Sequence, residues 1–173
     1  MKRVLMLASV ASMIDQFNMP NIALLQKLGY EVDVACNFIE GNTCSDARVA
    51  ELKQKLQDMH VHCYQIDFAR NIKHMGQNMK ALWQVEALMK QNTYEFCHCH
   101  SPIGGVVARI AGHRTRTKVI YTAHGFHFYQ GAPVMNWLVY YPVEKMLSRW
   151  TDVLITINHE DYKLAKKKFK MKK

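Results

Sequence analysis

Short apolar runs alternate with helix-period segments along the whole chain, and this alternation restricts its fold more than any other feature. Strands are predicted at Val4–Ala8, Glu31–Cys36, His60–Ile66, Glu95–His100, Lys118–Thr122 and Asp152–Ile157. Helices are predicted near Asn18–Leu28, Ser45–Asp58, Ile72–Gln91, Ile103–His113, Val134–Arg149 and His159–Phe169. A repeated strand-helix order calls for a parallel sheet covered on both faces, with right-handed crossovers. Local chemistry agrees at several joints. Gly29 sits where a helix would end, and Ser45 or Asp46 can cap the helix carrying Leu52 and Leu56. Pro102 presets a first helical turn, and Gly104 and Gly105 let that helix start close to a ligand or a strand. Pro142 is expected to kink or break the helix around it, because it lacks an N–H and crowds the preceding turn.

At 173 residues, 49% hydrophobic and 21% charged, the chain suits one sizeable core, so residues 1–173 are expected to form a single Rossmann-like, doubly wound α/β domain. The formal charge of +9 is uneven, with Lys163, Lys166, Lys167, Lys168, Lys170, Lys172 and Lys173 crowding the last helix and tail. Such a cluster suits a solvated helix or attraction to an anionic membrane surface. No RNA-stacking motif or helix-turn-helix pattern accompanies it, so nucleic acid is not an expected partner. Five cysteines match no secreted disulfide framework, which points to a reducing cytoplasm. The run Val4–Ala8 after Lys2-Arg3 is too short for a signal peptide, and no stretch reaches the roughly 18 apolar residues of a membrane span.

Ligands of an open α/β sheet bind beyond the carboxyl ends of its strands, so the loops there are the candidate site. The fifth strand runs into Ala123-His124-Gly125-Phe126-His127-Phe128, which puts a titratable ring, His124, at a strand end beside a glycine suited to a tight bend. The fourth ends in Cys97-His98-Cys99-His100-Ser101. Side chains alternate along a strand, so the cysteines face one way and the histidines the other, which cannot close a tetrahedral zinc site; His100 lies at the useful rim. His60 and His62 fall on the opposite rim. The segment Ser9–Asn18 after the first strand contains no glycine, which disfavours a dinucleotide-type pyrophosphate cradle. Asp15 within it is either a helix-capping acid or a carboxylate that accepts hydrogen bonds from a polyol. Arg70 either pairs with Asp67 or meets an anionic or hydroxylated group, and Asn158 is a natural helix cap.

These strands and loops resemble the amino-terminal domain of glycosyltransferase family 4, particularly its bacterial capsular and exopolysaccharide members. The resemblance is carried by Val4–Ala8, Ile14-Asp15-Gln16-Phe17-Asn18, Gly29–Val34, His98–Gly105, Tyr121–Phe128 and Ile155–Asp161, and it covers nearly the whole chain. It implies the N-terminal half of a two-domain GT-B enzyme that transfers sugars with retention and without metal or cofactor. The acceptor, a saccharide or a polyprenyl-linked one, is then held mainly by this half, and the nucleotide-sugar by a second domain beyond this chain, which alone is expected to be inactive. The family's strand-end histidine maps onto His124, in contact with the transferred sugar. Ser9, Asp15, Phe17, Asn18, Arg70, His100, Gly125, Phe126, His127 and Asn158 are the expected substrate-side residues. The family's donor-binding glutamates belong to the second domain, so neither Glu144 nor Glu160 is assigned that role. The often glycine-rich first loop is replaced here by Ser9 to Ser12. A cytoplasmic enzyme, possible at the inner membrane face through Met135–Tyr141 and the lysines, is the implied setting. Two other readings stay open: a non-enzymatic flavodoxin-like or receiver module, against which a first strand ending Ala8-Ser9 without acidic pairs argues, and a nucleotide-sugar epimerase of the same fold.

Overall fold

The central strand β1 (Lys2–Val10) feeds two hydrophobic cores at once: Leu5 and Leu7 point into one, Val4, Met6 and Ala8 into the other. That alternation forces helices onto both faces. In the computed structural model, which describes residues 2–69 and 74–172, six parallel strands run in the order β3-β2-β1-β4-β5-β6. The others are β2 (Tyr30–Asn37), β3 (His62–Gln65), β4 (Tyr94–His100), β5 (Lys118–Ala123) and β6 (Val153–Thr156). The chain is thus the doubly wound α/β sheet expected from its sequence, and its topology reverses between β1 and β4.

On one face lie α1 (Ala11–Met13), α2 (Met19–Lys27) and α3 (Asp46–Asp58), which contribute Ile22, Val49, Leu52 and Leu56 to the core. On the other lie α4 (Met75–Gln91), α5 (Pro102–Thr115), α6 (Val134–Leu147) and α7 (His159–Lys168), with Val85, Leu88, Val107 and Ala111 buried. Each fully buried aliphatic side chain stabilises the fold by about 1.5–3 kcal/mol relative to exposure. Ser45 caps α3 by accepting the N–H of Arg48, and Pro102 begins α5, both as expected. All five cysteines are free thiols. Among the described residues no helix is long and apolar enough to cross a membrane.

Two expectations need correction. The segment Ser9–Asn18 is not a loop: the chain turns helical at Ala11 and passes through a π-helical turn, Ile14–Asn18, into α2. Pro20 explains the wide turn, because it has no N–H for the carbonyl of Gln16 and its ring crowds that carbonyl. Pro142, expected to kink or break its helix, does not break it: α6 continues through it from Val134 to Leu147. The helix predicted from Ile72 is described from Met75 onward, and Arg70 and Ile72 lie outside the described residues.

Candidate active site

The register of β4 against β5 sets the site. His98 lies opposite Ile120 and His100 opposite Thr122, yet each ring bonds a residue two places further along the chain, Thr122 in β5 and His124 just after it. His98 Nε2 is 2.8 Å from Thr122 Oγ1, and His100 Nδ1 is 3.0 Å from His124 Nε2. Both histidine side chains lean toward the carboxyl end, with their rings 4.3 Å apart. Burial pulls His100 down to about 3, reinforced by His98 and His124, and pulls His98 down to about 4, reinforced by His124. Burial also lowers His124 from its ordinary value. The buried pair is therefore uncharged at neutral pH. Cys97 and Cys99 point into the opposite core, as strand alternation requires, and no group of three or more His, Cys, Asp or Glu among the described residues is arranged to hold a metal.

Ser101 anchors the floor beside these rings. Its φ of 67° is unusual for a residue with a side chain and costs of order 1–3 kcal/mol. Its Oγ compensates by accepting the N–H of Gly104 at 3.2 Å and of Ser9 at 3.3 Å. A Cβ on Gly104 would stand 2.9 Å from that Oγ and 3.3 Å from Ser9 N, so only glycine lets α5 begin this close to the end of β1. The first turn of α5 is thereby held at the point where strand order reverses, where such sheets bind ligands.

The π-helical turn supplies a second wall. The Phe17 ring, half exposed, lies 5.2 Å from that of His124, so two residues singled out from the sequence meet. Asp15 is taken up by Arg48 of α3, whose Nε and Nη2 donate to it at 2.8 and 3.0 Å. Asn18 is fully buried; its amide donates to Met13 O and its carbonyl accepts from Asn21, so its side chain serves the turn itself.

Beyond β5 the chain bends at Gly125, whose φ of 114° suits glycine alone. Phe126, expected at the substrate, is instead buried, stacked 4.9 Å from Phe128 and packed on Phe169. His127 turns away from His124 and stacks on Tyr140 of α6 at 4.6 Å. Asn158 caps α7 by accepting the N–H of Asp161, as its sequence position suggested. Sequence reasoning missed the partners of this loop. Asp161 accepts the N–H of Phe126, and Glu160 accepts that of Gln130. It also missed the buried Arg109–Glu144 pair joining α5 to α6 at 2.7 and 3.0 Å, with the guanidinium 4.2 Å over the Tyr121 ring.

An apolar groove of about 440 Å³ runs between α4, α5 and α6, lined by Met75, Met79, Ile103, Val106, Val139 and Val143 among others. Within Met135–Tyr141 the aromatic side is structural: Trp137 and Tyr141 pack on the core, while Met135, Leu138 and Val139 are exposed.

Residues 3–158 match the family described as Glycosyl transferase 4-like. The chain is 41% identical over 168 residues to a Bacillus subtilis (strain 168) protein named "Putative glycosyltransferase EpsD", covering 95% of this chain but 40% of that protein. A solved glycosyltransferase from Rickettsia africae superimposes with a TM-score of 0.66 at 14% identity, over 98% of this chain and 40% of that one. Anabaena HepE, solved with UDP and glucose, gives 0.58 at 15% identity, over 89% of this chain and 37% of that one. At these identities the two structures speak for the fold, which is that of one half of a GT-B enzyme. With residues 3–158 matched and a relative at 41% identity, this chain belongs to the glycosyl transferase 4-like family.

Proposed function

We propose that this chain is the acceptor-side half of a retaining glycosyltransferase, which moves a sugar from a nucleotide-sugar donor to a saccharide or polyprenyl-linked acceptor in polysaccharide synthesis. The observation that carries this reading is the placement of His124 at the end of β5, backed by His100 and flanked by Phe17. An uncharged imidazole there can hydrogen-bond a sugar oxygen as charge develops at the reacting carbon, without competing for a proton at neutral pH. Phe17 offers an apolar surface to the sugar ring, and the Asp15–Arg48 pair offers donors and acceptors to further hydroxyls. The backbone bend at Gly125 brings main-chain groups to the same rim.

The chain spans about 40% of the length of the EpsD relative, and the donor's nucleotide is assigned to the remainder of a protein of that length. HepE, of the same fold, was solved with UDP and glucose, which supports a nucleotide-sugar donor. Transfer is assigned to proceed without a metal or other cofactor. The cytoplasmic face of a membrane is the proposed setting, with the aliphatic face of α6 and the lysines of α7 turned to anionic lipid.

The test is to express a polypeptide of the relatives' length and assay UDP- and GDP-sugars against saccharide and polyprenyl-phosphate acceptors. A glycosylated acceptor with retained anomeric configuration is expected, and residues 1–173 alone should give no turnover. A free epimerised nucleotide-sugar as product would replace this reading with the epimerase one.

A further inference from the structure

The ring of His100 is 2% exposed, and its Nε2 is closed to solvent with no hydrogen-bond partner among the described residues. Its other nitrogen, Nδ1, faces Nε2 of His124 at 3.0 Å. A neutral imidazole carries one N–H, and the two possible positions have different consequences here. A proton on Nε2 would leave a buried donor unmet, which folded proteins rarely tolerate. A proton on Nδ1 is instead donated directly to His124.

We infer that His100 is a positioning residue that holds its proton on Nδ1 and donates it to His124 Nε2, which fixes His124 as the Nδ1–H tautomer. His124 Nδ1 makes no hydrogen bond to a described residue, so the N–H left there is free for a ligand. His124 then meets its ligand as a hydrogen-bond donor aimed at an oxygen acceptor and does not act as a base. That assignment chooses between two roles which the heavy-atom geometry alone leaves equivalent. Burial of His100 keeps it uncharged in the neutral range and so prevents the pair from exchanging roles by protonation. The groups facing the pair are Phe17 from the π-helical turn, His98 from the same strand and Thr122 from β5; Thr122 is engaged by His98. The tautomer stands apart from the proposed sugar transfer. Only the identification of the accepting oxygen as a sugar oxygen rests on that reading.

Ring-nitrogen NMR of the ¹⁵N-histidine-labelled 173-residue chain near pH 7.5 tests it. The expected spectrum shows His124 with a protonated Nδ1 and an unprotonated Nε2, the reverse of the tautomer that free imidazole side chains favour in water. His100→Leu removes the donor while keeping an apolar side chain of similar size, and His124 should then revert to the Nε2–H form. A wild-type His124 protonated at Nε2 overturns the inference. So does a His124 tautomer unchanged in His100→Leu. The wild-type spectrum decides the assignment even if that variant fails to fold. Because the readout is spectroscopic, it stands whether or not the longer polypeptide transfers sugar.

Discussion

The carboxylate of Asp161 accepts the backbone N–H of Phe126 at 3.0 Å, tying the first turn of α7 to the loop that follows His124. Asp161 is 3% exposed and also accepts the amide of Asn158 at 2.8 Å, so cap, loop and helix form one hydrogen-bonded unit. Asp161→Ala leaves a buried N–H without a partner, which costs about 1–3 kcal/mol. Urea unfolding should report a loss in that range, with a smaller loss for Asp161→Asn, which keeps an acceptor oxygen. Equal stability of wild type and Asp161→Ala would show that water replaces the carboxylate.

A second prediction concerns Arg109 and Glu144, a bidentate pair in which Arg109 is 1% exposed. Removing one charge strands the other in the core, so Glu144→Leu should cost about 3–5 kcal/mol. Adding Arg109→Met removes the stranded charge and should restore much of that loss. Chemical denaturation of both single variants and the double variant measures the recovery. A double variant less stable than either single one would mean that the pair, with its Tyr121 contact, contributes more than apolar packing can.

How much of this was legible in the sequence depended on the range of the contact. The alternation that put His98 and His100 on one side of β4, and the cap at Asn158, are local and were readable from period and residue type. The helix start at Ala11 was not. Val10 brings no capping side chain, and Pro20, in the first turn of α2, signals only the later start at Asn18. The meeting of His100 with His124 depends on how β4 and β5 align, and the tie of Arg109 to Glu144 spans two helices. Only a single charge inside the otherwise apolar Ile103–Gly112 hinted at the latter. Phe126 and His127 both follow the strand-end His124 in sequence, but the bend at Gly125 and the stacking of Phe126 on Phe128 send one inward and the other onto Tyr140.

The buried histidines predict a specific acid sensitivity. An unfolded histidine takes up its proton near pH 6.5, whereas folded His98 and His100 hold out to about 4 and about 3. Their contribution is therefore fully present above about 6.5 and is lost progressively as pH falls toward those values, at up to about 1.4 kcal/mol per unit for each ring. Urea midpoints between pH 7.5 and 5 should fall more steeply for wild type than for His98→Gln or His100→Leu. Parallel pH profiles for all three proteins would show that these rings take up protons in the folded state as readily as in the unfolded chain.

For the membrane, a polypeptide of the relatives' length should sediment with anionic vesicles at low salt and be released as salt rises, since lysine attraction to a charged surface is screened. Replacing Leu138 and Val139 by Ser, both exposed, should weaken that binding without lowering the melting temperature. If no binding occurs at low salt, the segment Met135–Tyr141 is structural and the acceptor need not be lipid-borne.

Turnover of His124→Ala in the longer polypeptide tests most directly whether the ring at the end of β5 acts on the sugar. With the melting temperature recorded alongside, kcat should fall roughly 10²-fold or more, as for loss of one preorganised transition-state contact, while stability falls by no more than the roughly 1–3 kcal/mol of the His100 N–H left without its acceptor. A large drop in melting temperature with unchanged specific activity would instead make His124 a packing residue.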